Sequence, residues 1–554
     1  MQSLTAQMPP VPDAVDDDLT DDGTADDDLT DDDAVDDDLT DDAGPATAPT
    51  LGQRLVAVAT RTQRRVTDVA LRTRYVWAGF AAVHLWIAYS GVFWIPNRVF
   101  RDLHLYNLWV TRGLDHGFWP VLDGSWVYPA GALVPLVAVG WVARQLHELT
   151  GMSPDRAFYA VWAVMVTALN FVAVRRLLRH PGGRVATWWW VGFLAFLGPV
   201  AVGRLDALVA PLVILGLLAV AKRPRLAAAL LTAGAWIKVA PGALLLPVVA
   251  ALRGRWHAAV VSALAVCAAV VGTVALLGGW AHVGSFLTEQ GDRGLQVESV
   301  GASPWLVWGL YHGPVRRSFN PQIITYEVTG PGVVTAWHVL DMVFYVTMAA
   351  VAALLAWRAW GPRRLPVPEL LARGSLLVLL TMIVTNKVLS PQYLAWLAAP
   401  VAVALAWRLP KWRDRTYGSR SWVATAWGLL VIGAATQIIF PWAYGSMLAG
   451  MPWATWILVW RNVALVALWL VTAWAVIRPS VVQTSSGPDA ARHGRTRGRA
   501  WPRPRTGASG RRADGSADEQ DAQRGSLVGG QAQAVAQVAV EPAEGVVDAG
   551  QRGV

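Results

Sequence analysis

Residues 76–95 read VWAGFAAVHLWIAYSGVFWI, an uninterrupted run without a single Asp, Glu, Lys or Arg. A membrane-spanning helix needs about 20 mostly apolar residues, and about a dozen stretches of this chain approach that length. Overall, 54% of the 554 residues are hydrophobic. Because lipid cannot satisfy backbone hydrogen bonds, these runs must be helices, and they are too long to be the strands of a barrel. The sequence therefore predicts an all-α, polytopic membrane protein.

The segments before this first span give its orientation. Residues 51–74 contain six arginines, and we expect this basic juxtamembrane segment to lie on the membrane surface as an amphipathic helix. Since arginine accumulates on the cytoplasmic side, the N-terminus is predicted to be cytoplasmic and residues 97–129 external. Residues 1–50 carry seventeen aspartates, no lysine and no arginine, and they repeat DDDLTDD three times. Such dense like charge cannot pack, so we expect a disordered acidic tail.

The same charge pattern divides the rest of the chain. Residues 75–478 form the predicted membrane domain, with about 11–13 membrane helices, and residues 479–554 form a disordered cytoplasmic tail that is first basic and then mixed. Residues 282–335 are expected to be a long external loop. Two apolar segments, 129–148 and 226–252, have flanking charges that do not fit a full crossing. They are predicted to be re-entrant or broken helices, which are tolerated at membrane depth only where they line a cavity.

Composition and motifs exclude several classes of function. The basic residues after residue 50 lie mostly at helix ends, which argues against nucleic-acid binding. Cys267 is the only cysteine, so a disulfide framework and a cysteine-ligated metal are excluded. The chain has no Walker loop, no HExxH and no GxSxG, and it has no DxD outside the aspartate repeats of residues 1–50. We therefore expect no cofactor and no metal ligands, although a divalent metal would be compatible with the chemistry described below.

The chemistry is predicted to lie in residues 97–129, NRVFRDLHLYNLWVTRGLDHGFWPVLDGSWVYP, which are too polar to cross a membrane. A carboxylate held where lipid, water and protein meet can take a proton from a sugar hydroxyl. Asp102 is the candidate base, because Tyr106 and Trp109 fall on the same face of a helix and would give it an aromatic wall. The alternative is that Asp102 only caps this helix.

Lysine is rare in this chain, with four residues against 43 arginines. Lys238 in AWIKVAPGALLLP and Lys387 in VTNKVLSPQYLAW lie in apolar surroundings near the predicted external face. A charge inside the membrane is by default a functional-site candidate, and a lipid phosphate is the anion we expect at each lysine. The alternatives are snorkelling and pairing with Asp206 or Glu298.

The predicted external loop and a hairpin tip supply the other polar candidates. The loop segment EQGDRGLQVESVGASPW contains Arg293, which is suited to bind a phosphate bidentately. The same segment contains Gln296 and Glu298, which are suited to bind acceptor hydroxyls. The tip GRLD contributes Arg204 and Asp206, either as a simple ion pair or as substrate contacts.

Four of these stretches together resemble glycosyltransferase family 87. DLHLYNLW followed by VYPAG is similar to the D-x-x-x-Y…W…YPP pattern of the family's first external loop. GRLDAL is similar to the family's GQ-x-N hairpin tip, and AWIKVAPGALLLP is similar to its I-K-x-x-P-x-x-L-L-x-P segment. SPQYLAW is similar to its S-P-x-Y-x-x-W run. The matches occur in the family's order and cover about residues 75–450.

The resemblance implies a GT-C-type fold and an inverting transfer of a sugar, most often mannose, from a polyprenyl-phosphate donor to a lipid or glycan acceptor. Asp102 matches the family's general base. The resemblance further implies a bacterial enzyme of envelope biosynthesis, with its site on the external face of the cytoplasmic membrane. The residues expected at the donor phosphate are Lys238, Lys387, Arg293 and Arg204. The residues expected to contact the sugars are Tyr106, Asp206, Glu298, Gln296 and Tyr393.

Two departures from the family pattern leave the sugar open. Ala130 replaces the second proline of YPP, and Arg204-Leu205-Asp206 replaces the Gln-x-Asn element. An arabinofuranosyltransferase would keep the same site and change only the donor sugar. A transporter or lipid flippase also uses broken helices with embedded charge, but the two halves of this chain show no internal repeat.

Overall fold

The computed structural model describes residues 72–291, 293–313, 315–320, 325–409 and 417–478. Within them, seven helical stretches are long and apolar enough to cross a membrane: Thr73–Trp94, Pro154–Leu177, Ala240–Leu276, Val333–Trp360, Val367–Val384, Gly418–Leu448 and Pro452–Ile477. The shorter apolar helices are Asp206–Ala219, Pro224–Ile237 and Pro391–Ala406. The predicted all-α, polytopic membrane fold is thus confirmed. The predicted tails and nearly all of the basic juxtamembrane segment lie outside the described residues.

The described chain contains short and long helices and one small sheet. The helices are Thr73–Tyr89 (α1), Pro96–Val99 (α2), Arg101–His116 (α3), Leu133–Thr150 (α4), Pro154–Leu177 (α5), Gly183–Leu197 (α6), Asp206–Ala219 (α7), Pro224–Ile237 (α8), Ala240–Ala243 (α9), Leu245–Leu252 (α10), Trp256–Leu276 (α11), Ser285–Gly291 (α12), Ser303–Tyr311 (α13), Val333–Trp360 (α14), Val367–Val384 (α15), Leu394–Ala406 (α16), Tyr417–Gln437 (α17), Tyr444–Leu448 (α18) and Pro452–Ile477 (α19). The strands are Arg316–Asn320 (β1) and Thr325–Thr329 (β2). π-helical turns follow α1 and α17, at Ser90–Trp94 and Ile438–Ala443.

The helix α16 lies at the centre of the bundle. All thirteen of its residues are buried, and it packs against α6, α7 and α15. A helix that is apolar on every side is stable only inside such a bundle or in lipid. A second, smaller apolar core lies beneath the β-hairpin and includes Leu295, Val328, Met447 and Leu458. This second core joins the loop after α12 to the π-helical turn at Ile438–Ala443 and to α18 and α19.

The two irregular segments predicted from the sequence differ from each other. The segment 226–252 is broken as predicted: α8 ends at Ile237, Lys238 is extended (φ −154°, ψ 125°), and the chain resumes as α9 and α10. The segment 129–148 is not broken, because α4 runs unbroken from Leu133 to Thr150, and α4 is not among the helical stretches long and apolar enough to cross a membrane. Pro135 does not break α4, because it lies in the first turn, where no intrahelical N–H bond is lost.

The loop predicted over residues 282–335 contains a β-hairpin that the sequence reading missed. β1 and β2 pair antiparallel, with Arg316 opposite Thr329. Leu295–Val297 extends this sheet, since Val297 N donates to Tyr326 O (3.0 Å) and Val328 N donates to Leu295 O (2.9 Å). The hairpin therefore fixes the position of the neighbouring Gln296 and Glu298.

Gly203 allows the α6–α7 hairpin tip to touch the segment that begins α3. A Cβ added to Gly203 would lie 2.6 Å from the backbone oxygen of Val99 and 2.6 Å from the Phe100 ring. Because backbone cannot yield as a flexible side chain does, Gly203→Ala is expected to cost about 1–3 kcal/mol of stability and to lower the melting temperature in detergent. Gly192→Ala is the control, since its added Cβ would meet nothing within 4 Å. Equal melting temperatures for the two variants would contradict this close approach.

Candidate active site

Segments from five parts of the chain meet around one cavity of about 540 Å³. The polar side chains that line it include Asp102, Arg204, Gln296, Glu298, Gln392 and Tyr444. Four of these six were predicted as site residues from the sequence. The structure thus brings the start of α3, the α6–α7 tip, the loop after α12, the turn before α16 and the start of α18 to one place.

Asp102 lies in the first turn of α3 and is paired with Arg204. Arg204 Nε is 2.7 Å from Asp102 Oδ2, and Arg204 Nη1 donates to the carbonyl oxygens of Val99 (2.7 Å) and Gly203 (2.9 Å). The Arg204 side chain is 9% exposed and that of Asp102 is 36% exposed. Arg204 is therefore a fixed clamp that orients a carboxylate whose other oxygen has no hydrogen-bond partner among the described residues.

This pairing corrects two readings of the sequence. α3 has no side-chain cap, and its N-cap residue is Phe100, so Asp102 does not serve as a capping residue. Arg204 forms its ion pair with Asp102 and not with Asp206, because Arg204 points across to α3. Asp206 is 2% exposed, and its Oδ1 has no hydrogen-bond partner within the described chain.

Lys238 lies beside this cavity, at the break between α8 and α9. Its Nζ is 4.7 Å from the Tyr128 ring centroid and 5.5 Å from the Tyr393 ring centroid. Asp206 and Arg293 lie close enough to Lys238 to interact with it electrostatically. No hydrogen bond or ion pair within 4 Å is found for its ammonium group in the described part of the chain. Lys238 therefore keeps hydrogen-bonding capacity that an anionic ligand could use.

Two tyrosines separate Lys238 from Asp102. The hydroxyl groups of Tyr106 and Tyr128 are 3.3 Å apart, and Tyr106 stacks on Trp109 with ring centroids 5.7 Å apart. Burial raises the pKa of both tyrosines, so both remain neutral. The predicted aromatic wall beside Asp102 is thus present, and it lies between Asp102 and the cluster formed by Lys238, Asp206 and Arg293.

Lys387 does not join these groups. Its Nζ is 2.9 Å from Asp341 Oδ2 of α14, and Lys387 does not line the cavity. The predicted alternative of an ion pair is therefore realised with Asp341, and not with Asp206 or Glu298. Asp341 lies on a helix distant in sequence, so the residues around Lys387 do not by themselves predict this pair.

Gln296 and Glu298 form the wall on the side of the β-hairpin. Gln296 Oε1 accepts from Leu389 N (3.0 Å), and Gln296 N donates to Lys387 O (3.0 Å), so both ends of this residue are held by the chain before α16. Glu298 is 3% exposed and lines the same cavity as Asp102. The two hydrogen bonds hold Gln296 in place at the cavity wall.

Several residues at this site were missed by the sequence reading. Phe319 and Tyr326 of the hairpin line the cavity, as do Trp442 and Tyr444 near α18. Their positions depend on long-range packing that carries no local signal. Arg461 is different, because an arginine buried in the apolar helix α19 is by itself a signal for a functional or structural site.

The described residues contain no group of three or more His, Cys, Asp or Glu side chains that could hold a metal ion. The expectation of a metal-independent reaction stays a prediction.

The comparison with known families fits this geometry. The model of glycosyltransferase family 87 matches residues 126–391. This part of the chain is a glycosyltransferase family 87 region. The predicted resemblance is confirmed, and the chain is a membrane-embedded glycosyltransferase. No curated protein matches the sequence.

The family 87 region contains Arg204, Lys238, Gln296 and Glu298, but it begins after Asp102. The assignment of Asp102 as a site residue therefore rests on its ion pair with Arg204, which lies inside the family 87 region, and on their shared cavity. The match also favours sugar transfer over the transporter alternative.

Proposed function

We propose that this glycosyltransferase transfers a sugar from a polyprenyl-phosphate carrier, and not from a nucleotide, and that the sugar is mannose. The acceptor is a lipid or glycan hydroxyl, and the transfer inverts the configuration at the anomeric carbon of the donor sugar. The observation that carries this proposal is the clamped Asp102 carboxylate on the wall of a 540 Å³ cavity in a family 87 protein.

Asp102 is the general base of the proposed reaction. One of its oxygens is bound to Arg204, and the other can accept the proton of an acceptor hydroxyl in the cavity. As that proton leaves, the acceptor oxygen attacks the anomeric carbon, and the bond from this carbon to the phosphate oxygen breaks. The lipid phosphate leaves with the bonding electrons. A single displacement of this kind inverts the anomeric configuration.

Lys238 and Arg293 are the proposed ligands of the departing phosphate. Both are cations of the cluster beside the cavity, and Arg293 Nε is buried without a hydrogen-bond partner in the described chain. A phosphate would accept charge-assisted hydrogen bonds from both and so be stabilised as it leaves. Asp206 and Tyr393 border Lys238 and are proposed to contact the donor sugar.

The membrane location and sidedness follow from the distribution of charge. A lipid-linked donor requires an enzyme in the membrane, and the site lies at the end of α1 away from the arginine-rich segment 51–74. We propose that this end faces the outside of the cytoplasmic membrane.

Arg204-Leu205-Asp206 departs from the family's Gln-x-Asn element, so arabinose is the alternative donor sugar.

The test is sugar transfer in membranes that contain the protein, compared with membranes that lack it. Radiolabelled polyprenyl-phospho-mannose or polyprenyl-phospho-arabinose is supplied with a crude lipid extract as acceptor. Protein-dependent transfer of mannose supports the proposal, and transfer of arabinose alone establishes the alternative. If neither sugar is transferred, while labelled lipid crosses the bilayer of proteoliposomes, the protein is a transporter. Activity of right-side-out vesicles with a water-soluble short-chain donor tests the external orientation.

A further inference from the structure

The backbone of Glu298 is held by the last helix. Its carbonyl oxygen accepts from Arg461 Nη2 (3.0 Å) and Asn462 Nδ2 (3.4 Å). Asn462 Nδ2 also donates to Ser299 O (3.1 Å) and to Ser303 Oγ (2.8 Å). With the β-hairpin on its other side, Glu298 has little freedom to move away from the cavity.

The Glu298 carboxyl group lacks an ion-pair partner among the described residues. Arg461 uses Nη2 to bind the backbone carbonyl, and Arg204 is engaged by Asp102. The Tyr444 hydroxyl hydrogen-bonds the carboxyl group, whereas Oε2 is buried without any hydrogen-bond partner. A rigid, buried carboxyl group on a cavity wall thus has one oxygen left for a ligand.

Burial of this kind favours the neutral acid, because a desolvated carboxylate without a paired cation is costly. The titratable groups that face Glu298 are Arg461, Tyr444 and Arg204. Burial raises the pKa of Glu298 to about 7, although each of these three groups lowers it. Asp102 in the same cavity is different, because it has the Arg204 clamp.

Four aromatic side chains also line this cavity. They are Phe319 and Tyr326 of the hairpin, with Phe440 and Trp442, and they share the cavity with Asp102 and Glu298. Aromatic faces combined with a few fixed hydrogen-bonding groups are typical of sites that bind an amphipathic ring. A sugar ring has this character, with C–H faces and hydroxyl edges.

We propose that Glu298 acts as a neutral acid that donates a hydrogen bond to an oxygen of the acceptor, and that the acceptor group is a sugar ring. The inference rests on the proposed function, and it adds the acceptor class and a second role for a carboxyl group in the cavity. Asp102 takes the proton of the reacting hydroxyl, while Glu298 holds another oxygen of the same ring. Glu298 is thus a binding residue and transfers no proton in the reaction.

The test compares wild type, Glu298→Gln and Glu298→Ala between pH 6 and pH 8. The donor is polyprenyl-phospho-mannose or polyprenyl-phospho-arabinose, whichever the wild type uses, and the acceptors are octyl mannoside and dodecanol. The KM for octyl mannoside in wild type is expected to be about tenfold higher at pH 8 than at pH 6, since Glu298 loses its proton in this range. The Gln side chain can still donate a hydrogen bond, so the KM of Glu298→Gln at pH 6 is expected to stay within about threefold of the wild-type KM. In this variant the KM is expected not to increase between pH 6 and pH 8. Glu298→Ala is expected to raise KM about tenfold at pH 6, again without pH dependence.

Glu148→Gln, an exposed carboxyl change on α4, is the control for expression and assay conditions. Equal losses in Glu298→Gln and Glu298→Ala at pH 6 would overturn the inference, because the ionised form would then be required. An unchanged KM in Glu298→Ala would also overturn it, as would transfer to dodecanol as efficient as transfer to octyl mannoside. Absence of wild-type transfer to any acceptor, including the crude lipid extract, would instead reject the proposed function and this inference with it.

Discussion

Replacement of Asp102 by Asn is expected to lower kcat for sugar transfer by about 10²-fold or more, the contribution typical of a general base. Asn keeps the size of the side chain, and its oxygen can still accept from Arg204 Nε, which is 2.7 Å from Asp102 Oδ2. It cannot take the proton of an acceptor hydroxyl. The measurement is the initial rate with saturating donor and acceptor, normalised to the amount of protein in the membrane.

Asp123→Asn provides the matched control for this experiment. Asp123 belongs to the same polar segment, and its Oδ2 accepts from the backbone N–H of Trp119 (2.7 Å), a bond that Asn can also make. We expect the control to keep wild-type kcat. Full activity of Asp102→Asn would remove Asp102 as the base and make Glu298 the next carboxyl group to test, in conflict with a neutral role for Glu298.

Lys238→Gln is expected to lower kcat/KM for the polyprenyl-phosphate donor by about 10²-fold. A charge-assisted hydrogen bond contributes about 1.5–3 kcal/mol, which corresponds to about 10- to 150-fold in binding. Gln retains a polar side chain of similar length but loses the positive charge. Asp206, which interacts with Lys238, would also lose its neighbouring cation. Donor dependence at fixed acceptor concentration measures the effect.

Two other lysines make this prediction specific. Lys387→Gln breaks the ion pair with Asp341, so we expect a lower melting temperature and an unchanged KM for the donor. Lys222→Gln changes an exposed lysine and is expected to alter neither quantity. If Lys387→Gln raised the donor KM as much as Lys238→Gln, then both lysines would act on the phosphate, as the sequence alone suggested.

The features that could be predicted from the sequence are those with a local cause. The broken helix at Lys238 follows from a lysine and Pro241 inside an apolar run, since each disfavours a continuous membrane helix. The first span follows from its length and hydropathy. The candidates Gln296 and Glu298 were found because a dense polar segment lies between two apolar helices, and both line the cavity.

The features that could not be predicted depend on which distant segments touch. Arg204 pairs with Asp102 and not with the nearby Asp206 because Gly203 lets the hairpin tip reach Val99. Lys387 meets Asp341 only because α14 and α15 pack together. The β-hairpin has two strands of five residues, too short for a clear alternating pattern, and its pairing with Leu295–Val297 is invisible in the local sequence.

The composition of the cavity walls determines when the cavity can form during synthesis and folding of the chain. Its walls come from Arg98 near the beginning of the membrane domain to Ser446 near its end, with contributions from the hairpin tip and the β-hairpin between them. Contacts so far apart along a chain close late in folding. The position of Glu298 also depends on the final helix, because Arg461 and Asn462 donate hydrogen bonds to its carbonyl oxygen. A partly synthesised chain therefore lacks this cavity, and nearly the whole membrane domain must be synthesised before the proposed sugar donor can react there.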